Sequence, residues 1–167
     1  MNSNITLRRL PKSQKCLIVA FLFVLSIGFF TGLGFVSNTT DASIKGIKTQ
    51  YIGNEGEDDD LYEMKFKKSS REMLTIIHTH TLSLALIFGC VGFLMSLTET
   101  PQWLKTLLII EPFVSIVFTF GGLFILWIGV TWFSYVVAIS GFLMTASYVL
   151  AVTLIFRDLY LKSSLID

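Results

Sequence analysis

The sequence predicts an all-α integral membrane protein: a four-transmembrane-helix bundle with a short outer loop between helices 1 and 2. Three observations predict it. Four apolar runs, 16–36, 74–97, 106–130 and 131–156, each reach the length of about 20 residues that a hydrocarbon core about 30 Å thick requires at 1.5 Å per residue. The chain is 53% hydrophobic and 15% charged, where soluble domains run nearer 45–50% and 25%. The longest segment between the runs, 37–73, falls under the roughly 40 residues below which a segment rarely folds alone without disulfides or metal. These point to one membrane domain.

The first fifteen residues form a basic stub, with Arg8, Arg9, Lys12 and Lys15 and no acid. The apolar run that follows is longer than a typical signal-peptide core, and no A-x-A-like cleavage site follows Gly34, so an uncleaved signal anchor is expected. The stub then stays cytoplasmic. Four crossings return the C-terminal segment, 157–167, to the same side. Counted by side, seven basic residues fall inside and six outside, so the charge rule alone is close to a tie and orientation rests on the first helix. The expected location is the plasma or inner membrane.

The outer loop, 37–73, divides in two. Thr49–Ile52 reads as a short strand, and Glu55, Glu57, Asp58, Asp59 and Asp60 form an acidic run. That run lacks the ligand spacing and central glycine of a calcium loop and reads as a solvated face. Asn38-Thr39-Thr40 is a glycosylation sequon, which carries meaning in a eukaryotic secretory setting.

Ser69-Ser70-Arg71-Glu72 has the spacing of a capping box before the second run. The inner loop spans 98–105. Within it, Thr100-Pro101 resembles an N-cap followed by proline at the first helical position, which would put Pro112 inside the third helix at the cost of a backbone hydrogen bond. The third and fourth runs are joined by so few residues that they must form an antiparallel hairpin. Trp127, Trp132 and Tyr135 mark its outer interface; Trp103 and Tyr160 mark the inner one.

Membrane helices associate where small side chains let backbones approach. Gly28 and Gly32, then Ala85, Gly89 and Gly92, then Gly122, then Ala138 and Gly141, recur at three- and four-residue steps and are the candidate packing or partner surfaces, expected to turn inward.

Few residues carry chemistry. His78 and His80 are the only histidines. Two positions apart on a helix they point about 200° apart, so one metal cannot take both, and no metal site is expected. His78 shares the small-residue face and His80 lies opposite; each is a candidate axial ligand for a b-type haem, the one cofactor the sequence brings into view. Glu111 is the one acid well inside a run. It is expected to pair with Lys105 or a partner chain, to sit protonated, or to mark one end of a polar path whose other end is His78. Cys16 and Cys90 fall at different depths and are not expected to bond.

No G-x-S-x-G motif, phosphate loop or Ser/His/Asp set occurs, so no enzyme is indicated. The net charge of +1 gives no reason to propose nucleic acid. The leading expectation is a non-catalytic accessory or structural subunit of a larger membrane complex, with membrane lipid and other subunits or its own copies as partners. A haem-binding protein using His78 and a proton or ion conduction path are the rivals.

Overall fold

The computed structural model of the chain describes residues 5–54 and 64–160. The acidic run of 55–60 and the last residues of the C-terminal segment lie outside the described residues. Within them the chain is all helical: a 3-10 turn Leu7–Arg9, then α1 (Lys12–Thr40), α2 (Ile44–Ile52), α3 (Ser70–Ser96), α4 (Gln102–Trp127) and α5 (Phe133–Tyr160). α1, α3, α4 and α5 are long and apolar enough to cross a membrane.

Each long helix outruns its apolar stretch at one end or both. α1 has 29 residues, about 43 Å at helical rise, which spans the hydrocarbon and reaches the headgroups on both sides. Its last turn takes in Asn38, so the sequon lies on a helix rather than in a loop. There the Thr39 and Thr40 hydroxyls donate to carbonyls one turn back, Thr40 to Val36 at 2.8 Å. α3 begins at the capping box as read: the Ser69 hydroxyl accepts from the Glu72 amide, and the Glu72 carboxylate accepts from the Ser69 amide at 2.8 Å. α4 begins one residue later than Thr100-Pro101 suggests. Pro101 occupies the cap position and has no side-chain acceptor to offer; the Thr100 hydroxyl accepts from Thr98 at 3.0 Å.

Thr49–Ile52 is helical, not a strand. β-branched Thr49 and Ile52 suggest extended chain, but the ends decide. The Ser43 hydroxyl accepts from the Gly46 amide at 2.8 Å, capping the N-terminus. Gly53, at φ 89°, closes the C-terminus, a conformation glycine adopts at little cost. Desolvation of its partly buried ring pushes the Tyr51 phenol above its usual range. After α2 the chain holds itself with paired bonds: Asn54 amide to Lys65 carbonyl at 3.0 Å, Lys65 amide to Asn54 Oδ1 at 2.7 Å, and Lys68 amide to Tyr51 carbonyl at 3.2 Å.

α4 and α5 form the expected hairpin and pack most extensively; α3 lies against both, more on α4. α1 is peripheral and buries only Leu22, Phe29 and Thr40. It is fastened at three depths. At mid-span the Ser26 and Tyr148 hydroxyls are 3.0 Å apart, and the Phe29 ring stacks on Tyr148 with centroids 3.9 Å apart. At the end next to α2 Lys65 Nζ donates to the Thr39 carbonyl at 3.0 Å. At the opposite end, beside the N-terminal segment, Lys15 Nζ donates to the Leu159 carbonyl of α5 at 3.5 Å. Large apolar side chains such as Leu86 and Phe142 stand outward, each 72% exposed, as hydrocarbon around the bundle allows.

The small residues divide between inside and outside. Gly122 faces α5, where an added Cβ would lie 3.1 Å from Val137 Cγ2, and Gly92 faces Ile109 of α4. Ala85, Ala138 and Gly141 are half-buried. At Gly28, Gly32 and Gly89, all exposed, and at Gly141 a Cβ would meet nothing within 4 Å. Gly28 and Gly32 of α1 and Gly89 of α3 therefore make none of the close helix contacts expected of them, whereas Gly92 and Gly122 do. Spacing fixes which residues share a face, and packing alone fixes which way that face turns.

Candidate functional site

The polar groups inside the span fall into two sets, one sealed between helices and one turned outward. The sealed set lies along the α4–α5 seam. Glu111, Ser115 and Thr119 recur every fourth residue on α4, so they share one face. Glu111 is half-buried. One of its carboxyl oxygens accepts from Ser115 on its own helix and the other from Ser147 on α5. Two turns along, the Thr119 and Ser140 hydroxyls are 2.8 Å apart, and Ser140 in turn donates to the Val136 carbonyl at 2.7 Å. Ser115, Thr119, Ser140 and Ser147 are all buried. Lys105 does not reach Glu111. Its ammonium caps the C-terminal end of α3, donating to the Thr98 carbonyl at 2.7 Å and the Ser96 carbonyl at 3.2 Å.

Pro112 follows Glu111 directly and is buried inside α4. Proline has no N–H to give the carbonyl four residues back, so the Leu108 carbonyl is left without its helical donor.

The outward set belongs to α3. His78, Thr79, His80 and Ser83 are exposed. The sequence places His80 opposite the packing face, but its ring stacks on Phe120 of α4 with centroids 5.5 Å apart, and its Nδ1 lies 2.8 Å from the Ile76 carbonyl. His78 has no bonding partner among the described residues. It sits eight residues into α3, about 12 Å along the axis.

The structure does not bring the candidate residues together. His80 is level with Phe120, nine residues past Glu111 and so about 13 Å along α4. Among the described residues no group of three or more His, Cys, Asp and Glu side chains converges. A haem on His78 or His80 would lie on the outer surface of α3, so its second face would have to be covered by another chain.

A third feature is absent from the sequence reading. Asp158, wholly buried near the end of α5, binds Arg8 at 3.2 Å and Arg157 at 3.2 Å, and accepts from the Glu99 amide. Arg8 also pairs with Glu99 at 2.7 Å. The Leu7 amide donates to the Leu97 carbonyl at 3.0 Å, and the Leu7 side chain is fully buried. The N-terminal segment is thus a strap across one end of the bundle. The available signal was an acid directly after an apolar run, beside Arg157; its basic partner lies too far along the chain for spacing to reveal.

Together, the four spans, the sealed seam and the short connections define a small polytopic, all-α membrane protein. The chain belongs to the Aq_1264_TM family, a transmembrane helical domain whose model matches residues 41–165. The match takes in α2 to α5 and leaves α1, the peripheral helix, outside. No curated protein and no solved structure matches the chain.

Proposed function

We propose that this protein is a non-catalytic subunit that docks within the membrane against other subunits. One observation carries the reading: the outward face of α3 presents the His78 imidazole, four residues into the apolar run of 74–97 and without a bonding partner among the described residues. A polar group facing hydrocarbon without a partner is costly, and such groups in membrane proteins turn toward protein or cavities. The groups that serve this chain's own packing are already bonded to one another in the α4–α5 seam. A neighbouring helix that supplies hydrogen-bond partners to α3 completes the surface, and Gly89 on the same side permits close approach.

Extraction in a mild detergent and native gel analysis test the reading. The tagged chain migrates well above its monomer mass, and His78→Leu shifts much of it to the monomer. Recovery of the unmodified chain only as a free monomer contradicts it. A second reading rests on the same imidazole: His78 and a neighbouring chain share a b-type haem between them. A Soret band lost in His78→Ala supports it, and colourless protein from haem-replete cells excludes it.

A further inference from the structure

We infer that Glu111, Ser115 and Ser147 form a binding site for one small monovalent cation, sodium being the probe of choice, between α4 and α5. The site does not depend on the assembly reading above.

The argument begins with charge. Glu111 is well within the α4 span, and its two described partners are neutral hydroxyls, Ser115 and Ser147. The Lys105 ammonium, six residues earlier on the same helix, is committed to the Ser96 and Thr98 carbonyls. A carboxylate in low-dielectric surroundings is neutralised either by a proton or by a compensating positive charge; both oxygens of Glu111 already accept from serine hydroxyls, the arrangement of an ionised group, and that leaves the cation as its counter-charge. One carboxylate balances one unit of charge, so a monovalent ion leaves the site neutral, whereas a divalent ion leaves an excess charge in hydrocarbon.

Ligand chemistry agrees. Two carboxyl oxygens and two buried serine hydroxyls converge from two helices. Hydroxyls donate to the carboxylate when no ion is present and can turn their lone pairs to a cation. Pro112 leaves the Leu108 carbonyl, one turn before Glu111, without a helical donor. Carbonyls released where membrane helices are interrupted are the kind of ligand that sodium sites in such helices use. All these donors are oxygen, which suits a hard cation.

Thermal unfolding of the full chain in lipid nanodiscs tests the site, with sodium chloride replaced stepwise by choline chloride at constant ionic strength. A ligand that binds only the folded state raises the midpoint as its concentration grows. The midpoint is expected to rise with sodium in the unmodified chain and to be indifferent to it in Glu111→Gln. Ser147→Ala keeps the carboxylate and removes one ligand, so about tenfold more sodium is expected for the same rise. If Glu111→Gln does not fold, that displaced titration decides. No sodium-specific rise in the unmodified chain, a rise that survives Glu111→Gln, or an unchanged titration in Ser147→Ala overturns the proposal.

Discussion

Arg8 and Asp158 stand 150 positions apart in sequence and 3.2 Å apart in space. Their bond joins the segment before α1 to the end of α5, and Arg8 reaches Glu99 in the α3–α4 loop as well. Three connections thus converge on one arginine at the end of the bundle that carries the N-terminal segment. Because α1 buries so little of itself, this cluster contributes much of what holds it in register.

Asp158→Ala removes the acid and leaves the Arg8 guanidinium and the Glu99 amide without it. Breaking a buried pair by removing one partner costs about 3–5 kcal/mol. Arg8 keeps some exposure (19% of its side chain), so about 3 kcal/mol of lost stability is expected. Denaturant titration in detergent measures it. The N-terminal strap should also become more accessible to trypsin at exposed Arg9; protection equal to that of the unmodified chain would count against the clamp.

Tyr148→Phe keeps the ring stacked on Phe29 and removes the hydroxyl that meets Ser26. Hydrogen bonds between membrane helices average about 0.6 kcal/mol, so the loss should be of that size. Ser26→Ala should cost a similar amount, and the double variant little more than either. Fully additive losses would show that the two hydroxyls do not bond.

Glycine-to-alanine changes should sort by facing. At Gly46 a Cβ would lie 1.8 Å from the Thr40 carbonyl oxygen, so Gly46→Ala should disrupt the α1–α2 corner, read as sharply lower expression and unfolding midpoint. Gly28→Ala and Gly89→Ala meet nothing and should leave stability within about 0.5 kcal/mol. Equal effects at all three positions would refute the placement of α2.

The same corner holds Ala42 at φ 47°, a left-handed conformation that costs an L-residue about 1 kcal/mol. Ala42→Gly should therefore stabilise by up to about 1 kcal/mol in the same titration. A loss of that size would mean that the alanine methyl is packed rather than strained.

The spans were legible because hydrocarbon thickness leaves a plain mark on composition. Their ends were less so. Lys12–Lys15, Ser37–Thr40 and Arg157–Tyr160 continue helices past the apolar stretch, where polar side chains are solvated and hydropathy falls while the backbone stays helical. The hairpin, the capping box and the internal Pro112 followed from local rules and needed no tertiary knowledge. α2 did not, since its β-branched residues outweighed the Ser43 and Gly53 caps in the reading. The seam partner of Glu111 lies 36 residues away on another helix. Periodicity placed Glu111, Ser115 and Thr119 on one face, but the facing serines come from packing.

The central claim is that α1, α3, α4 and α5 each cross the bilayer, which puts the chain's two ends on one side and the α2 region on the other. Labelling of single cysteines in intact cells with a membrane-impermeant maleimide tests it most directly, after Cys16 and Cys90 are replaced by serine. Arg9→Cys and Tyr160→Cys should show the same accessibility, and Lys67→Cys the opposite one. Labelling of Arg9→Cys and Tyr160→Cys from opposite faces would contradict the four-span fold.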